Sequence, residues 1–213
     1  GILLGICALT RINAYLFISF FLVVYFLHHK FILKDKKIKL NSNQLVRIFL
    51  YSFFTLYLLS PQGWVSPITY FYETFNHQFF HKWDGTTLTN GEFVNAQNMT
   101  STYLYNWFLV KLPIIYILSF LLILIFFKEL KKDFLLFYSF TLISTVFICF
   151  SILRPTAYDG IRHFLFLIPY FVYIFISTCY IISDNFKINI MVFFLFSGCY
   201  LLFTQFGLQN MRY

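Results

Sequence analysis

The sequence predicts an all-α fold: a polytopic transmembrane helix bundle of about six helices, with one long external loop that contains an interfacial helix. Three observations predict it. Hydrophobic residues make up 60% of the chain and charged residues only 11%, a balance foreign to water-soluble domains. Apolar runs recur at about 20 residues, the length a helix needs to cross a bilayer's hydrocarbon core. The charged residues gather mostly between those runs, where water is available to them.

The first predicted helix covers about 2 to 27. Arg11 lies inside it, and an ionisable side chain in a span costs on the order of 3 kcal/mol near the bilayer centre, so a partner in a polar cavity is expected. A basic loop follows, with Lys30, Lys34, Lys36, Lys37, Lys39 and Arg47. The second helix, about 48 to 62, is short for a crossing and is broken by Pro61, Gly63 and Pro67.

The segment from Ser60 to Asn106 is too long to be a plain connector. Within it Ile68, Phe71, Tyr72, Phe75 and Phe79 follow helical spacing with Glu73, His77 and His81 on another face, the pattern of a helix lying in the membrane interface. A polar turn is expected from Asp84 to Asn98, and Asn98-Met99-Thr100 matches a glycosylation sequon by pattern. Glu73, His77 and His81 are carboxylate and imidazole groups suited to a divalent metal. Their spacing of four residues sets the outer pair about 12 Å apart along a straight helix, so the polar face of an interfacial helix is the simpler reading.

The remaining helices are predicted at about 107 to 127, 134 to 153, 164 to 183 and 188 to 207. Short connections at 128 to 133 and 184 to 187 make antiparallel neighbours. Lys111 lies near one end of the third helix, beside Trp107, where its ammonium can snorkel to the surface. No repeat at a fixed period is evident, and a single domain over 1–213 is the economical organisation. Cys7, Cys149, Cys179 and Cys199 have no CxxC spacing and read as small buried apolar residues.

The formal net charge is +8, yet its placement argues against nucleic acid as a partner. Lys-rich loops at 30 to 47, at 128 to 132 and at Lys187 alternate with regions that carry only Lys82, Arg154, Arg162 and Arg212. The positive-inside rule then sets the Lys-rich loops in the cytoplasm and the loops at 60 to 106 and 154 to 163 outside or in an organelle lumen. The partners implied so far are the lipid bilayer and something on its outer side. The chain starts at Gly1 and its first methionine is Met99, which leads us to expect a fragment or a processed product.

The stretch Arg154-Pro155-Thr156-Ala157-Tyr158-Asp159-Gly160-Ile161-Arg162-His163 joins two of the apolar runs. Pro155 ends the preceding helix and Gly160 permits a tight turn, which lets the charged side chains converge. Arginine bonds phosphate oxygens in bidentate, charge-assisted pairs, and Tyr158 or Asp159 is placed to orient it. The simpler alternative is that Arg154 and Arg162 touch lipid headgroups while Asp159 caps the next helix.

Residues 154 to 169 resemble the segment P-x-x-Y-D-G-x-R-H-F-x-F of polytopic GT-C-type glycosyltransferases, a family that includes protein mannosyltransferases and the aminoarabinose transferase of lipid A. Thr102-Tyr103-Leu104-Tyr105-Asn106-Trp107-Phe108-Leu109-Val110-Lys111-Leu112-Pro113 is similar to that family's Y-L-P-x-W-x-x-x-K-x-P stretch, and Gly5 to Asn13 to its G-L-x-x-x-T-[KR]-x-N stretch. Asn106 and Ile12 depart from the residues common there. The resemblance implies a C-terminal portion of a transferase that takes a sugar from a polyprenyl-phosphate carrier, its donor substrate, and passes it to an external protein, lipid or glycan. It also implies a multi-pass protein of the bacterial inner membrane, or of the endoplasmic reticulum in a eukaryote.

Family members use an acidic base in their first external loop, which the resemblance places upstream of Gly1, so no catalytic base is carried onto this chain. The resemblance and the charge pattern together make Arg154, Arg162, Lys111 and His163 the candidates for the carrier phosphate. Tyr158, Asp159, Arg11, Tyr103 and Trp107 are the candidates for orienting or supporting them. No cofactor is assigned from these residues, and metal dependence stays open. A transporter, a lipid flippase or a structural membrane subunit is the alternative.

Overall fold

A computed structural model describes residues 1–10, 14–33, 42–80, 83–89, 91–157 and 160–186. The chain is mostly helical and divides into two compact units, Gly1–Lys82 and Trp83–Tyr213. Arg11, His81, Tyr158, Asp159, Cys199 and the sixth predicted helix lie outside the described residues.

In the first unit α1 (Ile2–Thr10), α2 (Ala14–Leu27) and a π-helical turn (His28–Ile32) occupy the first predicted span. α3 (Ser42–Leu58) begins earlier than predicted and stops before a 3-10 turn at Pro61–Gly63. That turn starts with proline, which has no N–H to continue a helical ladder. α1 packs on α3 at small residues. A Cβ on Gly5 would lie 2.5 Å from the Ser52 carbonyl oxygen and 2.7 Å from Thr55 Cβ, and one on Gly1 would lie 2.6 Å from Tyr51 Cβ. Glycines four apart let two helix backbones approach closely, a packing mode common in membranes. Buried Ser52 donates a 2.8 Å hydrogen bond to the Tyr15 hydroxyl, which ties α3 to α2.

α4 (Pro67–Phe80) is the predicted amphipathic helix. Phe71 meets Phe53 of α3 at 4.8 Å between ring centroids, while Ile68 and Tyr72 stay exposed beside the exposed Trp64 and Val65.

The second unit starts with a hairpin where a polar turn was predicted. β1 (Thr86–Thr89) pairs antiparallel with β2 (Glu92–Asn95), Thr86 opposite Asn95 and Thr89 opposite Glu92. Asn90-Gly91 sits between them, the dipeptide that two-residue hairpin loops favour, and Gly91 has φ +85°. Thr87 and Thr89 are buried while Thr86 and Leu88 face out, the period-two alternation of a half-buried strand.

α5 (Tyr103–Lys111) and α6 (Ile114–Leu122) replace the single helix expected over 107 to 127, and they meet at 117°. The cause is Pro113. Its ring removes a donor and pushes the preceding residue out of helical conformation, and Leu112 has φ −90°, ψ 140°. A short α7 (Phe127–Lys132) follows, then α8 (Phe134–Leu153), which agrees with prediction at both ends. A 3-10 turn (Arg162–Leu167) leads into α9 (Ile168–Phe186), so the predicted 164 to 183 helix has a tighter first turn and a longer tail.

Among the described residues, Ala14–Ile32, Phe134–Leu153 and Arg162–Asn185 are long and apolar enough to cross a membrane, and the bent α5–α6 pair makes a fourth if counted as one span. The core of the second unit is aromatic. Phe108 lies 5.2 Å from Phe147 and 5.6 Å from Phe171, and Phe120 stacks on Phe140 at 4.8 Å, joining α5, α6, α8 and α9. Such pairs add about 0.5–1.5 kcal/mol each beyond the area they bury. Cys179 is buried as predicted, but Cys7 and Cys149 are exposed. In an apolar helix such exposure suits contact with lipid as well as burial would.

Candidate functional site

The hairpin at 154–163 is held from α5. Tyr103 is wholly buried. Its hydroxyl accepts a hydrogen bond from the Gly160 N–H at 3.1 Å and faces the Gly160 carbonyl oxygen at 3.4 Å, as donor. One phenol therefore serves both backbone groups of a single residue. Gly160 is buried with φ +66°, and a Cβ there would lie 3.1 Å from the Trp107 ring. Both facts call for glycine, since a left-handed backbone and a close aromatic wall each penalise a side chain.

Tyr103, Trp107 and Lys111 follow one another at four-residue spacing along α5, so they form a stripe that drifts slowly around the helix. Trp107 sits 6.3 Å from the Tyr103 ring, and the Lys111 ammonium lies 5.7 Å from the Trp107 ring centroid, within cation–π range. The structure thus brings Tyr103 and Trp107 onto the hairpin and Lys111 onto Trp107.

Two aromatic contacts fix the hairpin's ends. Phe150 of α8 stacks on Tyr103 at 5.9 Å and meets Phe164, just after the hairpin, edge-on at 5.5 Å. Ser151 adds a polar tie, its hydroxyl 3.3 Å from both the Ser101 carbonyl oxygen and the Tyr105 hydroxyl. Sequence reading did not single out Phe150, Ser151 or Tyr105, because nothing in an apolar run marks which members face a partner.

Arg154 ends α8 in the left-handed region, φ 45° and ψ 54°, with its N–H bonded to the Phe150 carbonyl at 2.9 Å. It is the described non-glycine residue with positive φ. Arg154 and Arg162 are exposed, and His163 is half-buried. Two cationic side chains open to the surface thus flank a rigidly held glycine. Exposed guanidinium groups can pair with an anion through charge-assisted hydrogen bonds.

An apolar cleft of about 350 Å³ lies among α5, α6, α8 and α9, lined by Tyr105, Phe108, Phe120, Phe147 and Phe171 among others.

The metal candidates fall elsewhere. Glu73 and His77 are exposed on α4 in the first unit, and among the described residues no group of three or more His, Cys, Asp or Glu gathers. Gly5 of the third motif stretch serves the α1–α3 contact.

No family model matches the chain, and no curated protein or solved structure matches it either.

Proposed function

We propose that the chain is part of a multi-pass membrane glycosyltransferase that takes a sugar from a polyprenyl-phosphate carrier and gives it to an external acceptor, with the 154–163 hairpin binding the carrier phosphate. One observation carries the reading. Residues 102–113 and 154–169, the two stretches that resemble GT-C enzymes most, meet at the Tyr103–Gly160–Trp107 contact, although Tyr103 and Gly160 lie 57 positions apart.

The chemistry fits this placement. As a sugar leaves a lipid phosphate, negative charge grows on the phosphate oxygens, and cations fixed at that point stabilise the transition state more than the ground state. Arg162 and Arg154 take that role, Lys111 supports it from α5, and His163 adds a hydrogen-bond donor. Tyr103 and Trp107 hold the backbone that carries Arg162. The apolar cleft lined by Tyr105 and Phe108 of α5 gives hydrocarbon a place to lie outside water. In this reading the helices form a bundle of about six crossings with the hairpin on the outer side. No residue of the chain is assigned as catalytic base, and no metal is invoked.

The test is a transfer assay on the complete protein with a panel of radiolabelled polyprenyl-phosphate sugars. One donor should be consumed, and Arg162→Ala should slow its transfer by about 100-fold, as loss of one preorganised charge does. Wild-type rates in that variant, or no transfer from any donor, would overturn the proposal. The 117° break between α5 and α6 favours a second reading, since broken helices frame the substrate sites of transporters. Movement of a lipid-linked sugar across vesicles without its transfer would select that reading.

A further inference from the structure

The opposite end of α8 carries a second polar site, made by different residues. In α7, Leu130 is wholly buried and Lys131 places its ammonium 4.1 Å from the Phe127 ring centroid. Glu129, Lys132 and Asp133 remain at the junction with α8. Asp133 is fixed in place: Oδ1 accepts from the N–H groups of Leu135 (2.8 Å) and Leu136 (3.2 Å), and Oδ2 accepts from the Tyr173 hydroxyl at 3.0 Å. Each carboxylate oxygen keeps lone-pair capacity for a further donor. Among the described residues, Glu129 and Lys132 form no ion pair.

These three residues line a cleft of about 410 Å³ together with Leu136, Ile176, Ser177, Tyr180 and Ile181. α8 and α9, which bound it, are both long and apolar enough to cross a membrane. The cleft therefore offers two carboxylates and one ammonium together with apolar isoleucine surface. A ligand that satisfies all three features has an ammonium, a phosphate and an acyl chain.

We propose that this cleft binds phosphatidylethanolamine. Its primary ammonium donates to Glu129 and Asp133, its phosphate accepts from Lys132, and an acyl chain lies along Ile176 and Ile181. The two carboxylates discriminate among bilayer lipids. A choline headgroup has the positive charge but no N–H to donate, and an anionic glycerol headgroup meets two like charges with a single lysine to offset them. This proposal rests on the membrane placement of α8 and α9 and is independent of sugar transfer.

The experiment uses the full chain in detergent, mixed with equal amounts of phosphatidylethanolamine, phosphatidylcholine and phosphatidylglycerol of matched chains. Retained lipid is counted by native mass spectrometry. The ethanolamine lipid should be retained about tenfold over the choline lipid, the scale of one charge-assisted hydrogen bond. Glu129→Gln should bring that ratio close to one, Asp133→Asn, which keeps a capping oxygen, should lower it, and Lys132→Ala should lower retention of both lipids while leaving the ratio in place. Mono- and dimethylated ethanolamine lipids test the donor requirement on the unaltered chain, with retention falling stepwise as N–H groups are lost. Equal retention of ethanolamine and choline lipids, preference for phosphatidylglycerol, selectivity unchanged in Glu129→Gln, or total retention unchanged in Lys132→Ala would each overturn the proposal.

Discussion

The two ends of α8 are closed in opposite ways. At the first turn a side chain does the work: Asp133 satisfies two of the backbone donors that a helix start leaves open and also anchors Tyr173 of α9. At the last turn the backbone does it, with Arg154 bent into the left-handed region and the chain then running to a glycine gripped by Tyr103. A capping aspartate is a low-energy solution. A left-handed arginine costs roughly 1–2 kcal/mol, and strain of that kind collects where a side chain has a task. The stable end and the strained end thus point to different duties, and the difference is open to substitution.

The largest effect is expected at the strained end. Gly160→Ala should destabilise the chain by about 3 kcal/mol, from the left-handed backbone and from overpacking against Trp107, read as unfolding in detergent. Combining it with Trp107→Leu should recover the packing share and leave the backbone share. Additive losses would show that Trp107 is no constraint on Gly160. Next comes Tyr103→Phe, which strips partners from a buried backbone N–H and should cost about 1–3 kcal/mol. A change within a few tenths would mean that the hydroxyl does not hold the hairpin.

At the capped end, Asp133→Ala should cost about 1 kcal/mol and Asp133→Asn much less, since asparagine caps nearly as well. Equal losses would assign the effect to the Tyr173 bond instead. The smallest effect has the opposite sign. Arg154→Gly should stabilise the fold by about 1 kcal/mol by relieving the left-handed strain, while transfer by the complete protein falls. Stability gained with activity intact would reduce Arg154 to a poor helix stop.

The same contrast explains what the sequence made legible. α8 was readable at both ends because its boundaries are local: aspartate before the first apolar residue and Pro155 just after the last. The Tyr103–Gly160 clasp was not, because a bond across 57 positions leaves no local trace. Its two partners were nonetheless on the candidate stretches through the resemblance. Two errors had visible signals. Pro113 within the apolar run was a breaker that we read only as part of a motif, and it bends the chain by 117°. Asn90-Gly91 between the alternating Thr86–Thr89 and Glu92–Asn95 segments marked a hairpin that we read as a polar turn.

The break at Pro113 also bears on Lys111. By ending α5 there, it leaves the lysine in the last turn of a nine-residue helix, beside carbonyl groups that no further turn can take up. The carboxyl end of a helix behaves as about half a negative charge. Much of the field of Lys111 is therefore spent at home, on its own helix, before it reaches any visitor. In the proposed reading, a phosphate at the hairpin senses Lys111 as a muted cation, secondary to the exposed Arg154 and Arg162.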